Sequence, residues 1–500
     1  MDFFFVICST LFLLFISYLR HKYQYWEQRG VPQLQMNFFY GNFFRIKTMH
    51  KTEIFHEVYK KFRGKAKLVG TYVFTKPVAV VLDLDLVKSI LIKDFNKIAD
   101  RFEQRKGSEG ILHRHLLRLD GERWRPLRTK LTPTFTSAKM KFMFPTLVTV
   151  AQQLEEAFSK QLTKTSSGDV ELHDLMGRFT TDVIGHCVFG VDCNSLKDPN
   201  VVFRRMGRRI FYPKYFSIRL HIFMTTYPAL FKYLKFFNVQ EHSKDLEDFM
   251  VQLVSDTVRL REEQNIHRND FIDLLIELKN SKDTKGMSQM SIEVMVAQVY
   301  IFFAAGYETS SSNLSNGLYE LAKNPHVQEK LRAEIKSILE KHNGELTYEA
   351  MMEMTYLDQV ITETLRMHPA IGALNRVSID DYKIPDTDIT LEKGTHVYIP
   401  VTGIHYDPTI YDNPKEFRPE RFHPDEMQKR HPQAFLGFGD GPRNCIGLRF
   451  GRMQVRVGFV TLLKSYRFSL TEKTPRELEI SKNHLLLVPH SKIWLKAEKL

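Results

Sequence analysis

The sequence predicts a mainly α protein with small β-sheets, arranged as one large domain behind an N-terminal membrane anchor helix. Three observations lead to this prediction. The chain opens on an apolar run that no later segment matches, most of the remaining sequence has helical periodicity, and no repeat or low-complexity linker divides it. At 500 residues the domain is larger than most single domains.

Composition narrows the class of protein further. Hydrophobic residues make up 43% and charged residues 26% of the chain, so it can fill a core and is not disordered. A mean hydropathy of −0.29 excludes a polytopic membrane protein. Four cysteines exclude a disulfide scaffold. The net charge of +13 suits nucleic acid, an anionic membrane or an acidic protein partner, and 38 phenylalanines suggest an apolar cavity or a membrane contact.

The first element is the apolar run from Phe3 to Leu19. As a helix rising about 1.5 Å per residue it would span roughly 26 Å, slightly less than a bilayer core. Arg20, His21 and Lys22 follow the run, whereas a cleaved signal peptide carries its charge before it. We therefore expect a signal anchor with the body in the cytosol, the alternative being a cleaved signal peptide. The expected organisation is an anchor at 1–22, a linker at 23–42 and the main domain at 43–500.

The main domain is expected to be mostly helical. Two short strands are predicted at 67–75 and 78–82, around Lys76 and Pro77. Prolines from Pro369 to Pro442 break up the last third into short segments. Helical periodicity predicts helices near 51–63, 84–93, 121–131, 138–163, 172–190, 244–265, 270–280, 291–322, 325–341, 355–367 and 446–464.

Several common motifs are absent from the sequence. It contains neither GxxxxGK[ST] nor HExxH. The glycine-rich stretch 435–447 has Pro442 where a dinucleotide-binding loop needs its third glycine, so no nicotinamide or flavin site is expected. Basic residues are scattered through helices rather than interleaved with aromatic residues, which is typical of a solvated face. Nucleic acid is therefore not an expected partner.

One cysteine stands in a setting that packing does not explain. Cys445 lies in the loop FGDGPRNCIG at 438–447, whose glycines and proline can aim several backbone N–H groups at its sulfur. These donors and the helix that follows would favour a thiolate, which is a strong ligand for haem iron. The alternative of a buried structural cysteine fits Cys187 and Cys193, and Cys8 lies in the anchor.

A second unusual pattern is AGYETS at 305–310, inside the helix predicted at 291–322. Gly306 in mid-helix costs about 1 kcal/mol relative to alanine. Glu308 and Thr309 place an acid and a hydroxyl in apolar surroundings, where a threonine can distort the helix and admit a water that passes protons. Alone, the pattern leaves open the alternative of Glu308 facing solvent and Thr309 as filler.

The cysteine loop resembles the haem-binding motif of the cytochrome P-450 family, F-x-x-G-x-R-x-C-x-G, which is complete here. This resemblance implies haem b as the cofactor, with Cys445 as the axial iron ligand and Arg443 directed at a haem propionate. The loop residues expected at the haem are Phe438, Gly439, Arg443, Cys445 and Gly447, and the remaining motif position is Gly441.

The AGYETS stretch resembles the oxygen-activating helix of the same family, A-G-x-[DE]-T. That resemblance implies that Thr309 hydrogen-bonds iron-bound dioxygen, that Glu308 supplies protons and that Gly306 opens space above the iron. Tyr307 stands where the family usually has phenylalanine, a position that lines the cavity.

Two further motifs, E-x-x-R and PERF, also match the family, in which they support the haem loop. Glu363 and Arg366 alone would form an ordinary exposed pair worth about 0.2–0.5 kcal/mol. Because the PERF segment at 419–422 follows, the resemblance implies a buried triad with Arg421 that serves folding and haem retention.

Further resemblances concern the propionates. Trp124 and Arg128 resemble the family's W-x-x-x-R and would bind a haem propionate from one helix face. Arg376 is expected as a third propionate ligand. The resemblance covers essentially the whole chain and is strongest to insect microsomal enzymes that metabolise xenobiotics. One departure is the hinge after the anchor, where only Pro32 remains of a proline-rich segment.

These features predict a haem-thiolate monooxygenase that inserts one oxygen atom from O₂ into apolar substrates. The family implies electrons from NADPH through NADPH–cytochrome reductase, with cytochrome b5 as a second donor, at the endoplasmic reticulum membrane. Candidate docking residues for the acidic reductase are Lys130, Lys139, Arg449 and Arg452. Two alternatives remain: an isomerase or dehydratase that needs no reductase, and a non-enzymatic haem sensor or carrier.

The substrate is not readable from the sequence. Xenobiotics such as insecticides and plant toxins, or endogenous lipids and hormones, all fit an apolar cavity. The Phe-rich stretch 211–237 is expected either to dip into the membrane or to form ordinary core. The residues expected to line the cavity include Phe102, Phe211, Phe216, Phe302, Phe303, Ile371 and Leu485.

Overall fold

Helices form most of the structure, a computed structural model that describes residues 2–101, 110–165, 167–211, 222–223, 226–227, 242–281 and 290–500. Together with small sheets they confirm the predicted fold class. The described helices are α1 (Asp2–Tyr23), α2 (Lys51–Phe62), α3 (Leu84–Lys88), α4 (Gly121–Leu131), α5 (Ser137–Thr163), α6 (Leu172–Ile184), α7 (Val202–Phe211), α8 (Lys244–Gln264), α9 (Phe271–Asn280), α10 (Ile292–Lys323), α11 (Pro325–Lys341), α12 (Tyr348–Glu353), α13 (Thr355–Met367), α14 (Val401–His405), α15 (Pro424–Gln428) and α16 (Leu448–Leu463).

The N-terminal helix is apolar enough to cross a membrane, with a candidate span at Phe3–Arg29 and a mean hydropathy of 2.0. Its last residue, Tyr23, is buried against the body of the protein. Trp26 is fully buried, and its Nε1 donates to the Thr71 carbonyl at 3.0 Å. A Cβ at Gly70 would lie 2.2 Å from the Trp26 ring. The expected linker is thus irregular in backbone but packed on the first strand, because Trp26 fills the space that Gly70 leaves.

Strands form three small sheets in the described chain. The first has the order β1 (Leu68–Val73), β2 (Lys76–Val81), β7 (His396–Ile399) and β4 (Leu374–Val377). Its β2–β7 pair is parallel and its other pairs are antiparallel. The second is antiparallel, with the order β3 (Asp169–Glu171), β9 (Trp494–Lys499) and β8 (Tyr466–Leu470). The third pairs β5 (Tyr382–Lys383) with β6 (Thr390–Leu391).

The predicted hairpin is present, but its turn lies two residues earlier than expected. Lys76 and Pro77 belong to β2, where Pro77 pairs with Tyr72. The turn is Phe74–Thr75, with Phe74 at a positive φ of 54°. A proline at the start of a strand is tolerated because only its N–H is lost from the ladder.

Helix α10 passes through the interior and contacts α6, α8, α13 and α16. Its first turn is capped by Ser291, whose Oγ accepts the Val294 N–H at 3.4 Å. Most of its residues are buried, and Gln298 ties it to a neighbouring segment by accepting the Leu116 N–H at Oε1, at 2.9 Å. The helix therefore carries residues 305–309 into the centre of the fold.

Two predicted helices end early in wide turns. Helix α3 stops at Lys88 and is followed by a π turn at Ser89–Lys93, and α6 stops at Ile184 before a π turn at Gly185–Phe189. Apolar residues continue through both turns, so periodicity alone cannot mark these ends. Helix α7 was not predicted, because four arginines interrupt the short apolar pattern of VFRRMGRRIF.

Candidate active site

The loop before α16 is held in a tight shape that requires its glycines. Gly439 and Gly441 have positive φ values of 68° and 72°. A Cβ at Gly441 would lie only 1.9 Å from the Leu91 carbonyl oxygen. The Cys445 N–H donates to the Phe438 carbonyl at 2.9 Å, which closes the loop on itself. The backbone alone thus fixes where the cysteine stands.

Cys445 is accessible and at the same time closely surrounded by protein. Its side chain is accessible to solvent, yet protein surrounds it closely enough that desolvation has the largest influence on its pKa. Both hold if the accessible surface faces a cavity. Burial raises the pKa of the Cys445 thiol, while the Gly447 N–H and the cations of Arg128 and Arg101 act against that rise. The Gly447 N–H thus favours the thiolate as predicted, but burial outweighs it in the thiol alone, and a bound metal ion deprotonates a coordinating thiol by itself.

The AGYETS segment lies beside this loop. Gln454 of α16 donates from Nε2 to the Gly306 carbonyl at 3.3 Å, which joins α10 to the helix after the cysteine. Ala305 is exposed and Thr309 partly exposed, although both lie in the middle of a buried helix. Thr309 Oγ1 donates to the Ala305 carbonyl at 2.6 Å. We infer that this face of α10 and Cys445 border the same internal cavity.

Gly306 has a role that differs from the expected one. A Cβ at this position would lie 2.3 Å from Ile184 Cδ1 of α6. The glycine therefore allows α10 and α6 to pack closely, and its missing side chain faces α6. The expectation that Gly306 opens space above the iron does not match this direction.

Glu308 also points away from the expected side. It is fully buried, and its Oε1 lies 3.2 Å from Nε2 of His173 on α6. Tyr307 is likewise buried, with its hydroxyl bonded to the Arg204 guanidinium, so the structure does not place it on the cavity surface. Only Thr309 of the three is on the accessible face of the helix.

Four arginines gather around the cysteine loop. Arg101 Nη2 donates to the Arg443 carbonyl at 2.6 Å, and Arg443 Nη2 donates to the Leu119 carbonyl at 2.7 Å. Arg128 donates twice to Asn444, to the carbonyl at 3.0 Å and to Oδ1 at 2.9 Å. The fourth arginine is Arg376 of β4, which repels both Arg101 and Arg443.

This arginine cluster lacks an anion of matching charge among the described residues. Burial and mutual repulsion lower the pKa of Arg443 to about 9, that of Arg101 to about 10 and that of Arg376 well below its usual value. The nearest carboxylate oxygen to Arg443 is 3.8 Å away, on Asp100. Arg443 Nε and Nη1 and Arg376 Nε are buried without hydrogen-bond partners. Buried cationic donors call for an anionic acceptor, and the two propionates of a haem fit this need.

Trp124 and Arg128 act on the loop in this structure. The Arg443 guanidinium lies 4.6 Å from the centroid of the buried Trp124 ring, a cation–π contact that orients it. Arg128 uses its donors on Asn444, directly before the cysteine. Their expected contacts with a propionate remain predictions.

The E-x-x-R and PERF residues meet in the interior. Arg366 holds Glu363 through two bonds, Nε–Oε2 at 2.7 Å and Nη2–Oε1 at 2.8 Å, and Arg421 Nε lies 3.4 Å from Glu363 Oε1. All three side chains are almost fully buried. Arg366 Nη1 also donates to the His405 carbonyl at 2.8 Å, and the His405 ring accepts the Leu436 N–H at 2.9 Å. The triad is thereby joined to the start of the cysteine loop.

Arg101 and His173 were missed by sequence reasoning. Arg101 belongs to no motif. The one feature of the sequence that could have drawn attention to it is its position next to the acidic Asp100. His173 lies at the start of an amphipathic helix, where a histidine does not by itself indicate a functional role. Both become visible only when distant segments are brought together.

The residues expected to line the cavity have different surroundings. Phe303 is fully buried among other aromatic rings, and Phe302 stacks on Phe135 at 5.4 Å. Ile371 is 51% exposed, and its place in the cavity wall stays a prediction. Phe102, Phe216 and nearly all of the Phe-rich stretch 211–237 lie outside the described residues.

Comparison with known proteins agrees with the fold and this site. The family model named Cytochrome P-450 matches residues 31–497. The chain belongs to this family, whose members bind haem through a cysteine thiolate. Among its relatives are probable cytochrome P-450 6a14 of Drosophila melanogaster, at 43% identity over 99% of both chains, and cytochrome P-450 6a2 of the same species, at 42% over 97% of both. Cytochrome P-450 6A1 of Musca domestica is 39% identical over 98% of this chain and 96% of its own.

These relationships confirm the resemblance to insect enzymes. Family membership makes the chain a haem-thiolate monooxygenase, an oxidoreductase that incorporates oxygen and works with a redox partner on small-molecule substrates. The apolar α1 is consistent with membrane anchoring.

Proposed function

We propose that the protein oxidises apolar molecules with O₂ and with electrons that NADPH supplies through NADPH–cytochrome reductase. The observation that carries the proposal is the cysteine loop with its buried arginine cluster, in which several donors lack an acceptor, joined through Gln454 to the helix on which Thr309 is accessible. Among the free cysteines described, Cys187 and Cys193 are buried in packing, and burial raises the pKa of both thiols. Cys8 is exposed on α1.

In this proposal the cofactor is haem b. Cys445 would bind its iron through the thiolate, and Arg443, Arg376 and Arg101 would bind its propionates, with Trp124 and Arg128 holding the loop. Bound haem supplies the iron at which dioxygen is reduced. The protein's own part is to fix the thiolate, exclude water with its apolar interior and hold a hydroxyl proton at Thr309 Oγ1 on the cavity side. Glu308 would feed that position from the protein interior.

The redox partner is expected on the face that carries the cysteine loop. Arg449 is exposed there. Arg452 is held by Asp358 at 2.9 Å and lies 5.2 Å from the Phe438 ring, so its charge is partly balanced. Lys139 donates to the Asn269 carbonyl at 3.4 Å. With Lys130, these residues remain the candidates for docking NADPH–cytochrome reductase and, as a second donor, cytochrome b5.

The site of action is proposed to be the cytosolic side of the endoplasmic reticulum membrane. Basic Arg20, His21 and Lys22 end the helix on that side, as expected for a signal anchor. Substrates such as insecticides, plant toxins or endogenous lipids would partition into the same bilayer. The names of the relatives do not state which of these classes they act on, so the substrate class rests on the apolar interior.

Replacing Thr309 by alanine tests the proposal. In vesicles with reductase and NADPH, we expect the variant to oxidise NADPH at a similar rate but to release more hydrogen peroxide and about 10-fold or less of the wild-type product, because a proton donor at the cavity is lost. The measurement is product and peroxide formed per NADPH across a panel of apolar compounds.

A matched control is Thr149→Ala, which removes an exposed hydroxyl with the same bond to the carbonyl four residues earlier. Unchanged product with reductase omitted would contradict the proposed function and favour a reductase-independent reaction.

Replacing Arg101 by glutamine tests the arginine cluster. One charge-assisted hydrogen bond contributes about 1.5–3 kcal/mol, so we expect roughly 10-fold or faster haem loss to an apo-globin scavenger. Arg125→Gln is the control, since Arg125 is exposed on α4 and bonds to Asn96. Equal haem loss from the two variants would remove Arg101 from the binding site.

A further inference from the structure

Glu308, a buried acid of α10, has a single ion-pair partner among the described residues. Glu308 is fully buried, and its Oε1 lies 3.2 Å from His173 Nε2. Neither carboxylate oxygen forms a well-aligned hydrogen bond within the described chain. An ionised carboxylate is costly to bury without a partner, so His173 is the group that makes Glu308 tolerable as a charge.

His173 extends from this buried acid to an accessible surface. It is the second residue of α6, and Glu171 fixes that helix end by accepting the His173 and Asp174 N–H groups at 3.0 Å each. The side chain of His173 is 24% exposed, whereas that of Glu308 is fully buried. The ring therefore connects a position that water can reach with a carboxylate that water cannot reach directly.

The other charged groups near the pair cannot carry protons from water to Glu308. Arg204 of α7 is held by Asp174 at 2.9 Å and by the Tyr307 hydroxyl, and a guanidinium does not exchange its charge near neutral pH. His484 is fully buried and is engaged with the Leu486 backbone. Of the described groups that face Glu308, His173 alone both titrates near neutral pH and is accessible.

The charges around the pair favour the ionised form of both members. His173 lowers the pKa of Glu308, with smaller help from His484 and Arg204, against the burial that raises it. Glu308 and Glu171 raise the pKa of His173, against burial and Arg204. The pair therefore places a ring whose protonated form is favoured beside a carboxylate that can accept its proton.

We propose that His173 is the positioning residue through which solvent protons reach Glu308, an inference that rests on the proposed monooxygenase function. The imidazolium gives its Nε2 proton to Glu308 Oε1, which leaves a neutral imidazole and a neutral carboxylic acid. The neutral imidazole keeps its Nδ1 proton, so its ring must turn Nε2 from Glu308 to the accessible side, take a proton there from water and turn back as the imidazolium. The carboxylic acid passes its proton toward the Thr309 side of α10 and returns to the carboxylate, so each cycle moves one proton.

The test uses haem-loaded full-length protein in vesicles with reductase, and the apolar panel compound that the wild type converts best. His173→Gln is expected to keep the KM but to lower product per NADPH at least about 10-fold and to flatten its pH dependence near neutrality. His173→Lys keeps a cation for Glu308 but titrates far higher, so it should preserve stability and still lose the pH dependence. His186→Gln is the control, because His186 makes an ion pair with Asp192 away from α10.

A second readout needs no turnover. Because the pKa of His173 is raised, its pairing stabilises the fold below the ordinary histidine pKa, and this contribution is lost as pH rises through the raised value. Because the pKa of Glu308 is lowered, its contribution is lost only as pH falls through that lowered value. A double-mutant cycle of His173→Gln and Glu308→Gln on the unfolding midpoint should therefore show coupling just below the ordinary histidine pKa that disappears in alkali.

The outcomes separate the two proposals. Coupling in the unfolding cycle together with an unchanged product yield and pH profile in both His173 variants would make the pair purely structural and overturn the inference. A wild type that forms no product with reductase would instead contradict the proposed function, whatever the His173 variants do.

Discussion

Replacing Cys445 by serine should abolish monooxygenase activity to below detection and remove the carbon monoxide spectrum that marks a thiolate ligand. Serine matches cysteine in size and leaves the backbone bond from residue 445 to the Phe438 carbonyl possible. Its oxygen is a hard, weak ligand that lacks the electron donation of sulfur. The loss is therefore chemical, and the arginine cluster should still retain some haem. The measurement is the absorption spectrum of the reduced protein with and without carbon monoxide.

Cys8→Ser is the matched control, since Cys8 is exposed on α1 and distant in sequence from the haem loop. It should leave both spectrum and activity unchanged. A thiolate-type spectrum that survives in Cys445→Ser would show that another cysteine binds the iron and would remove Cys445 from the centre of the account.

Replacing Glu363 by glutamine should destabilise the folded protein by about 3–5 kcal/mol, the usual cost of breaking a buried ion network. Arg366 and Arg421 would lose their shared carboxylate while remaining buried, at 0% and 3% exposure. The Arg418 N–H, which donates to Glu363 Oε1 at 3.0 Å, would lose a charged acceptor. Since domains are typically stable by only about 5–15 kcal/mol, little haem-bound protein should accumulate.

The measurement is urea unfolding together with the haem content of purified protein. Glu416→Gln removes a carboxylate 4.0 Å from the same Arg421, but its side chain is 54% exposed, so a change within about 0.5 kcal/mol is expected. Arg421→Lys serves if the first variant cannot be purified, because it keeps a cation but loses the planar fork. Equal stability of all variants with the wild type would show that the triad does not support the fold.

Local sequence signals predicted the elements well where one pattern ran without interruption. The apolar period of 291–322 placed α10 within one residue at each end, because a long buried helix shows its pattern over many turns. The π turns after Lys88 and Ile184 were missed, since the apolar pattern continues through them. The hairpin turn was misplaced because Pro77 is a common turn residue that here begins a strand.

Motifs in the sequence predicted which residues form the site. They did not predict the contacts that these residues make with distant parts of the chain. The glycines of the cysteine loop and the E-x-x-R pair act over short sequence distances, so their spacing carries the information. Gly306 packs against Ile184, and the Glu308 side chain points to His173. Both contacts join helices that are far apart in the chain. The thiol pKa depends on how much protein surrounds Cys445, which no local pattern contains.

The arginine cluster shows the same limit. Arg443, Arg128 and Arg376 were identified by resemblance, whereas Arg101 was found only because its donor reaches the Arg443 carbonyl from a distant segment. The positive charge of the chain is accordingly explained in part by buried arginines with a shared anion to bind. The composition offered no means of telling these from surface charges.

The most direct test of the account follows the oxygen atoms. Full-length wild type in vesicles with reductase and NADPH is supplied with isotopically labelled O₂ and with the panel compound that it converts best. The account predicts that each product molecule gains one labelled oxygen atom, that the other appears in water, and that no product forms without reductase. Product that carries no label, or that forms equally without reductase from a hydroperoxide, would contradict the assignment of a haem-thiolate monooxygenase built on Cys445.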